Sequence, residues 1–158
     1  MIQFTLYLVF FSFPLFSTTF EIRFIGGCSS KPLLIQKIKF NDGLNVGDVS
    51  LKALDDNQIP YQGTSQGINQ IFNSPIGLKA LEILNEHEML SYGWCYEIDT
   101  VIPEVYPNEI LITKSTQVIT WFYGYAHYFN GKWISQCEKS YIRQSAQICA
   151  DDINSLPN

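Results

Sequence analysis

The chain has 158 residues, a net charge of −5 and a pI near 4.9. That length allows one domain with a real core. The acidic balance argues against a nucleic-acid partner, which usually leaves a basic stripe as its footprint. An aromatic share of 15% is high for so small a protein and favours strands and tight packing.

Residues 1–19 contain no charged side chain. Their apolar run, Phe4 to Phe16, ends in Ser17-Thr18-Thr19. A membrane span needs about 20 apolar residues, so the run reads better as a secretory signal peptide. A retained N-terminal anchor is the rival, because no Lys or Arg precedes the run. Ile25-Gly26-Gly27-Cys28 has the look of a lipoprotein cleavage box, but Glu21 and Arg23 separate it from the apolar run, so lipidation is not expected. The expectation is a chain secreted or held in the periplasm or cell envelope, with no stable membrane span after cleavage.

Export leaves four cysteines, Cys28, Cys95, Cys137 and Cys149. An even count in an oxidising compartment suggests two disulfides, with three possible connectivities that spacing cannot separate. No Cys-x-x-Cys pair exists, so neither a zinc knuckle nor a thioredoxin-like motif is supported.

Phe20 to Ile25 alternates apolar and charged residues and reads as an edge or half-buried strand. Gly26 to Pro32 is a turn. Leu33 to Phe40 returns as a second strand with Leu34, Gln36, Ile38 and Phe40 on one face, stopped by Asn41-Asp42-Gly43. Val46, Val49, Ala53 and Leu54 then mark one face of a short helix ending near Asn57. Ile59 to Asn73 reads as an extended polar loop with a short strand around Ile68 to Phe72, suited to lining a pocket. Ser74-Pro75 predicts a second helix. Ile76, Ala80, Ile83, Leu84 and His87 form its apolar face, with His87 a boundary residue rather than a ligand.

Tyr92 to Ile98 is a third strand, and Asp99 to Asn108 a turn with a short extended piece. Ile110 to Ile112 is a brief strand, and Lys114-Ser115-Thr116 turns into the longest one, Gln117 to Phe129. One face of that strand is Val118, Thr120, Phe122, Gly124, Ala126 and Tyr128, and the other is Ile119, Trp121, Tyr123, Tyr125, His127 and Phe129. The first becomes small at Gly124 and Ala126, as where another element packs close. The second is aromatic with polar tips, which need partners or a wet edge. It is either core or a partly open surface that grips a ligand. Asn130-Gly131 signals a hairpin into Lys132 to Cys137. The chain after Glu138 is amphipathic at best, and its last eight residues read as frayed.

Gly93-Trp94-Cys95-Tyr96-Glu97-Ile98-Asp99 resembles the "GW-YyVNG" strand of the domain of unknown function DUF4430, the transcobalamin C-terminal-like, β-grasp-related module. Asn45 to Leu54 resembles its "tVldaL" helix, Ile59 to Thr64 its "ipY-gt" segment, and Lys114 to Tyr123 its "kgD-I-W-Y" strand. The resemblance spans residues 20–137, with 1–19 a signal peptide and 138–158 a C-terminal extension. Ile98-Asp99-Thr100 stands where the family often has Val-Asn-Gly, Ser115 or Thr116 where it has Asp, and Pro75 to Met89 looks inserted. The resemblance implies a single α+β domain of the β-grasp-like kind, a mixed sheet with one or two packed helices. It also implies a module that lies over a corrinoid in cobalamin carriers, beside a helical domain this sequence does not show; cobalamin is a weak expectation here and no other cofactor is expected.

Catalytic sets are sparse. Only His87 and His127 exist, and no nucleophile elbow, phosphate loop or dinucleotide fingerprint occurs. His127 can act as acid or base near neutrality, but the sequence assigns it no carboxylate. No metal site is expected. A non-enzymatic binding module is the preferred reading, for a corrinoid, a glycan or a protein ligand, with Trp121, Tyr123, Tyr125, His127, Tyr61 and Trp94 as candidate contacts. The alternative is a structural or protein-interaction domain of the cell envelope that offers Phe20 to Ile25 as an edge. The favoured bridges are Cys95 with Cys137, joining neighbouring strands, and Cys28 with Cys149, tying the C-terminal segment to the start.

Overall fold

Alternating aromatic and β-branched residues build the sheet, and the longest run of them becomes its spine. The computed structural model describes residues 19–114, 116 and 118–149. All of the expected signal peptide except Thr19, and the last eight residues, lie outside the described residues. The strands are β1 (Thr19–Ile25), β2 (Pro32–Lys39), β3 (Tyr61–Thr64), β4 (Gly67–Ile71), β5 (Leu81–Asn85), β6 (Glu88–Ile98), β7 (Val118–Phe129) and β8 (Lys132–Lys139). The α-helices are α1 (Val46–Asp56), α2 (Ser140–Arg143) and α3 (Ala146–Cys149).

The domain is α+β with a mixed sheet ordered β2-β1-β7-β6-β5, and β8 also pairs with β7. β6 runs antiparallel along β7 from Ile119 to Phe129. The opposite edge of β7 is shared: β1 pairs in parallel with Val118 to Phe122, and β8 takes Gly124 to Phe129. β3 and β4 form a separate hairpin.

α1 starts where Asn45 Oδ1 accepts the Asp48 amide at 2.8 Å, satisfying one of the first-turn donors. Val46, Val49, Ala53 and Leu54 are all buried, as their spacing predicts. They pack on Ile22, Phe24, Ile119 and Trp121, with Ile68 and Ile71 of the small hairpin closing the same core. The hairpin turn approaches α1 so closely that a Cβ on Gly47 would meet the Ser65 carbonyl oxygen at 2.0 Å. Only glycine fits there.

Several expectations are corrected. Pro75 to Met89 is not a helix: Gly77 takes φ +60, a single 3₁₀ turn covers Gly77–Ala80, and Leu81–Asn85 then pairs with β6. The helical spacing of Ile76, Ala80, Ile83 and Leu84 loses to cross-strand pairing, and Ile83 ends exposed. Ile59 to Asn73 is a hairpin rather than a loop with one strand. Ile110 to Ile112 contributes only one bridge, Leu111 to Asn45. β1 has β2 and β7 on its two sides, so Phe20 to Ile25 offers no edge. The segment after Glu138 forms two short helices, and Ile148 of α3 is buried in a second core with Leu90, Tyr92 and Tyr123.

The two disulfides are Cys28–Cys149 and Cys95–Cys137. The second does not join neighbouring strands, because β6 and β8 flank β7 on opposite edges. Cys137 sits at an irregularity in the β7–β8 ladder with φ +55. There it leaves the ladder and reaches Cys95, Cα to Cα 5.8 Å. Gly93 and Gly124, opposite each other on the ladder, line the hollow beside the bridge. What packs close at the small end of the long strand is therefore β8 itself.

Candidate functional site

Three elements with no common sequence neighbourhood line an open cavity of about 270 Å³. β6 supplies Trp94 and Tyr96, β7 supplies Trp121, and the tip of the β3–β4 hairpin supplies Gln66 to Asn69. The fourth wall is the loop Ile102 to Pro107 that follows β6. Tyr96 is the ladder partner of Trp121, so the two side chains share a face, and their ring centroids are 5.3 Å apart.

Each ring is fixed by its polar tip. The Trp121 indole N–H donates to Ser50 Oγ at 2.7 Å, and Ser50 Oγ in turn donates to the Val46 carbonyl at 2.6 Å. The Trp94 indole N–H donates to the buried Ser74 Oγ at 2.8 Å. The Tyr96 hydroxyl donates to the Val105 carbonyl, which ties the loop to the sheet. Burial, with the negative charge of Glu109 adding to it, pushes the Tyr96 hydroxyl up to about 12. Tyr106 is held at its backbone: its N–H donates to Glu109 Oε2 at 3.0 Å, and Glu109 N–H donates to the Tyr106 carbonyl at 2.9 Å. The loop end is anchored to α1 by Val46 N–H donating to the Ile110 carbonyl at 3.0 Å. A second hollow of about 440 Å³ adjoins it, sharing Ile68, Asn69 and Trp94 and lined also by Gln62 and Tyr92.

The sequence-predicted contacts are scattered. Trp94 and Trp121 line the first cavity, although Trp121 is only 2% exposed and is largely core. Tyr123 is fully buried, its hydroxyl donating to the Pro75 carbonyl at 2.8 Å, and burial raises its pKa beyond the ordinary tyrosine range. Tyr125 lies against Tyr92, 5.7 Å between centroids, beside the disulfide rather than in the cavity. His127 meets Glu88 at 2.8 Å near the β7–β8 turn, so it does have a carboxylate partner, though no cavity residue joins the pair. Tyr61 packs beside α1, and burial plus a hydrogen bond with Asp55 raises its pKa. Sequence reading missed Tyr96 and Tyr106. Tyr96 carried a usable signal, since it alternates with Trp94 on one face of the same strand. Tyr106 carried none, because its place depends on the loop.

Among the described residues no group of three or more His, Cys, Asp or Glu could hold a metal ion. Nor is any described helix long and apolar enough to cross a membrane. The two disulfides fit an extracellular or periplasmic protein. No family model and no curated protein matches the chain.

Proposed function

We propose that the chain is an exported, non-enzymatic binding module whose ligand sits in the cavity between Trp94, Tyr96, Trp121 and Tyr106. The observation that carries this reading is the convergence of four aromatic residues from two strands and a pinned loop on one concave site. Concave aromatic sites with a few polar groups are the usual form of ligand pockets. The sheet order β2-β1-β7-β6, with β1 and β7 parallel and α1 against one face, supports the β-grasp-like, transcobalamin C-terminal-like reading of the fold. At about 270 Å³ the cavity lies just below the roughly 300–1,000 Å³ of drug-sized sites, too small to take in a corrinoid whole. A ligand of one ring or one branched head group does fit.

The test is a fluorescence titration with a glycan panel, cobalamin and small cyclic or branched molecules. Saturable quenching by a small molecule that is lost in Trp94→Ala and Tyr106→Ala, with the circular dichroism unchanged, supports the reading. Quenching by cobalamin alone, or by nothing, refutes it. Exposed Trp133 and Ile134 on β8 favour a second reading, a protein-interaction domain without a small ligand. Crosslinking through that strand to a defined partner, with no small-molecule quenching, would put it first.

A further inference from the structure

We propose that the ligand of this cavity is an organic cation, a quaternary or alkylated ammonium group held over aromatic faces. The proposal rests on the reading of the cavity as a binding site and specifies what enters it. Its first support is how the rings are used. The polar tips of Trp94, Trp121 and Tyr96 are all engaged by the protein itself, by Ser74, Ser50 and the Val105 carbonyl. With those tips committed, what the rings can offer a ligand is carbon surface, chiefly from Trp94, since Trp121 is 2% exposed. An aromatic face carries negative quadrupole charge and attracts a cation within about 6 Å, most strongly on tryptophan and where water is excluded.

The second support is charge. None of the described residues lining the cavity is charged, so no Lys or Arg stands ready to receive an anion. The sequence from Ala80 to Thr113 holds seven carboxylates and no Lys or Arg. Glu82, Glu88 and Glu97 are paired with Arg143, His127 and Lys139, which leaves Glu104 and Glu109 as the carboxylates beside the cavity wall. Glu104 lies between two lining residues, Pro103 and Val105, and Glu109 is fixed on the Tyr106 backbone. This part of the molecule, on a chain of net charge −5, draws cations toward the aromatic mouth.

The third support is polarity. A sugar would require several side-chain hydrogen-bond partners, and the wall offers Gln66, Asn69 and the Tyr106 hydroxyl as its side-chain donors and acceptors not already committed to the rings. A trimethylammonium head requires none. Its charge is spread over methyl groups that pack against apolar walls such as Ile102 and Val105.

The experiment titrates the disulfide-bonded protein with choline, tetramethylammonium and the uncharged carbon isostere of choline, followed by tryptophan fluorescence. Choline and tetramethylammonium are expected to saturate the signal, with the isostere roughly tenfold weaker. Tyr106→Leu keeps an apolar side chain at an exposed loop position and is expected to weaken choline several-fold while leaving the isostere unchanged. Equal binding of choline and isostere overturns the cation proposal yet leaves the binding-site reading standing. Binding of a glycan but not of choline does the same. No response to any probe overturns both. Phosphatidylcholine vesicles separate two sources of one chemistry. Co-sedimentation that free choline abolishes assigns a lipid head group, and choline binding without co-sedimentation assigns a free cation.

Discussion

Thr100 stands in the left-handed region at φ +75, directly after Asp99 at φ +48. Ile98 and Val101 exchange both backbone hydrogen bonds across this pair at 2.9 Å, closing a two-residue turn. Such turns demand positive φ at both central positions and are usually built from Asn-Gly, as at Asn130-Gly131. A β-branched residue is strained there, by about 1–3 kcal/mol. Thr100→Gly should therefore stabilise the protein by about 1 kcal/mol, less than the strain because glycine gains freedom in the unfolded chain. A denaturation midpoint that rises with an unchanged slope would show it. Trp121 behaves oppositely. Its side chain is buried and its indole satisfies Ser50. Trp121→Ala should cost about 3–5 kcal/mol, seen as an early thermal transition, so ligand loss in that variant would report unfolding. Trp94 and Tyr106 are the residues to truncate. The distinction could not be read from the sequence, where both tryptophans stand on alternating strands. It depends on Ser50, 71 residues away, lying under one of them.

Elements were legible where their neighbours were local. β1, β2, α1 and the β7–β8 hairpin follow from alternation, the helical spacing of Val46, Val49, Ala53 and Leu54, and an Asn-Gly turn. β5 was not, because Ser74-Pro75 and the spacing of Ile76, Ala80, Ile83 and Leu84 satisfy a helix on local terms. What overrides them is an available edge: Leu81 to Asn85 pairs with Glu88 to Ser91 after a tight turn, and Gly77 at φ +60 breaks the helix before it starts. The cavity was illegible for the same reason, since its loop wall is set by Tyr96 and Glu109. The C-terminal helices have still less local support. α2 and α3 have four residues each, far below the about 12–15 at which an isolated helix holds. They depend on Ser140 Oγ donating to the Tyr123 carbonyl at 2.5 Å and on the bridge from Cys149 to Cys28. That bridge closes a separation of 121 residues, worth about 4–5 kcal/mol in the chain-entropy account. Cys28→Ser with Cys149→Ser should lower stability by about that much and release α2 and α3 first. Amide exchange in Tyr141 to Gln147 would then accelerate before exchange in β7 does.

Across the whole molecule, three buried tyrosines on adjacent strands fix how the fold meets alkali. Burial, with hydrogen bonding to Glu82 next, pushes Tyr92 up to about 12. Burial likewise carries Tyr96 up to about 12 and Tyr123 higher still. In the unfolded chain each ionises near 10. The folded state thus keeps its protons where the unfolded state releases them, and linkage sets the sign. The contribution of these groups is fully present below pH 10 and is lost as pH rises toward and through 12. A tyrosinate formed in place would also lose the hydroxyl donors that hold Pro75 and the Val105 loop. It would add negative charge to a chain already at −5. The expected result is a cooperative alkaline transition between pH 10 and 12 in which tyrosinate absorbance, tryptophan fluorescence and circular dichroism move together. Acid acts through a different group. Burial tends to raise Glu82, but hydrogen bonds from Tyr92 and Arg143 outweigh it and hold its pKa below the usual 4.5. Its contribution is present above that value and lost as pH falls through the lowered one, and Arg143 of α2 then loses its partner. The two ends of the pH scale should therefore open the molecule differently. Acid should loosen the C-terminal helices first, while alkali should open the aromatic sheet, and with it the cavity, as a unit. Tyrosines that titrate freely near pH 10 while the dichroism stays native would refute the alkaline half of this account.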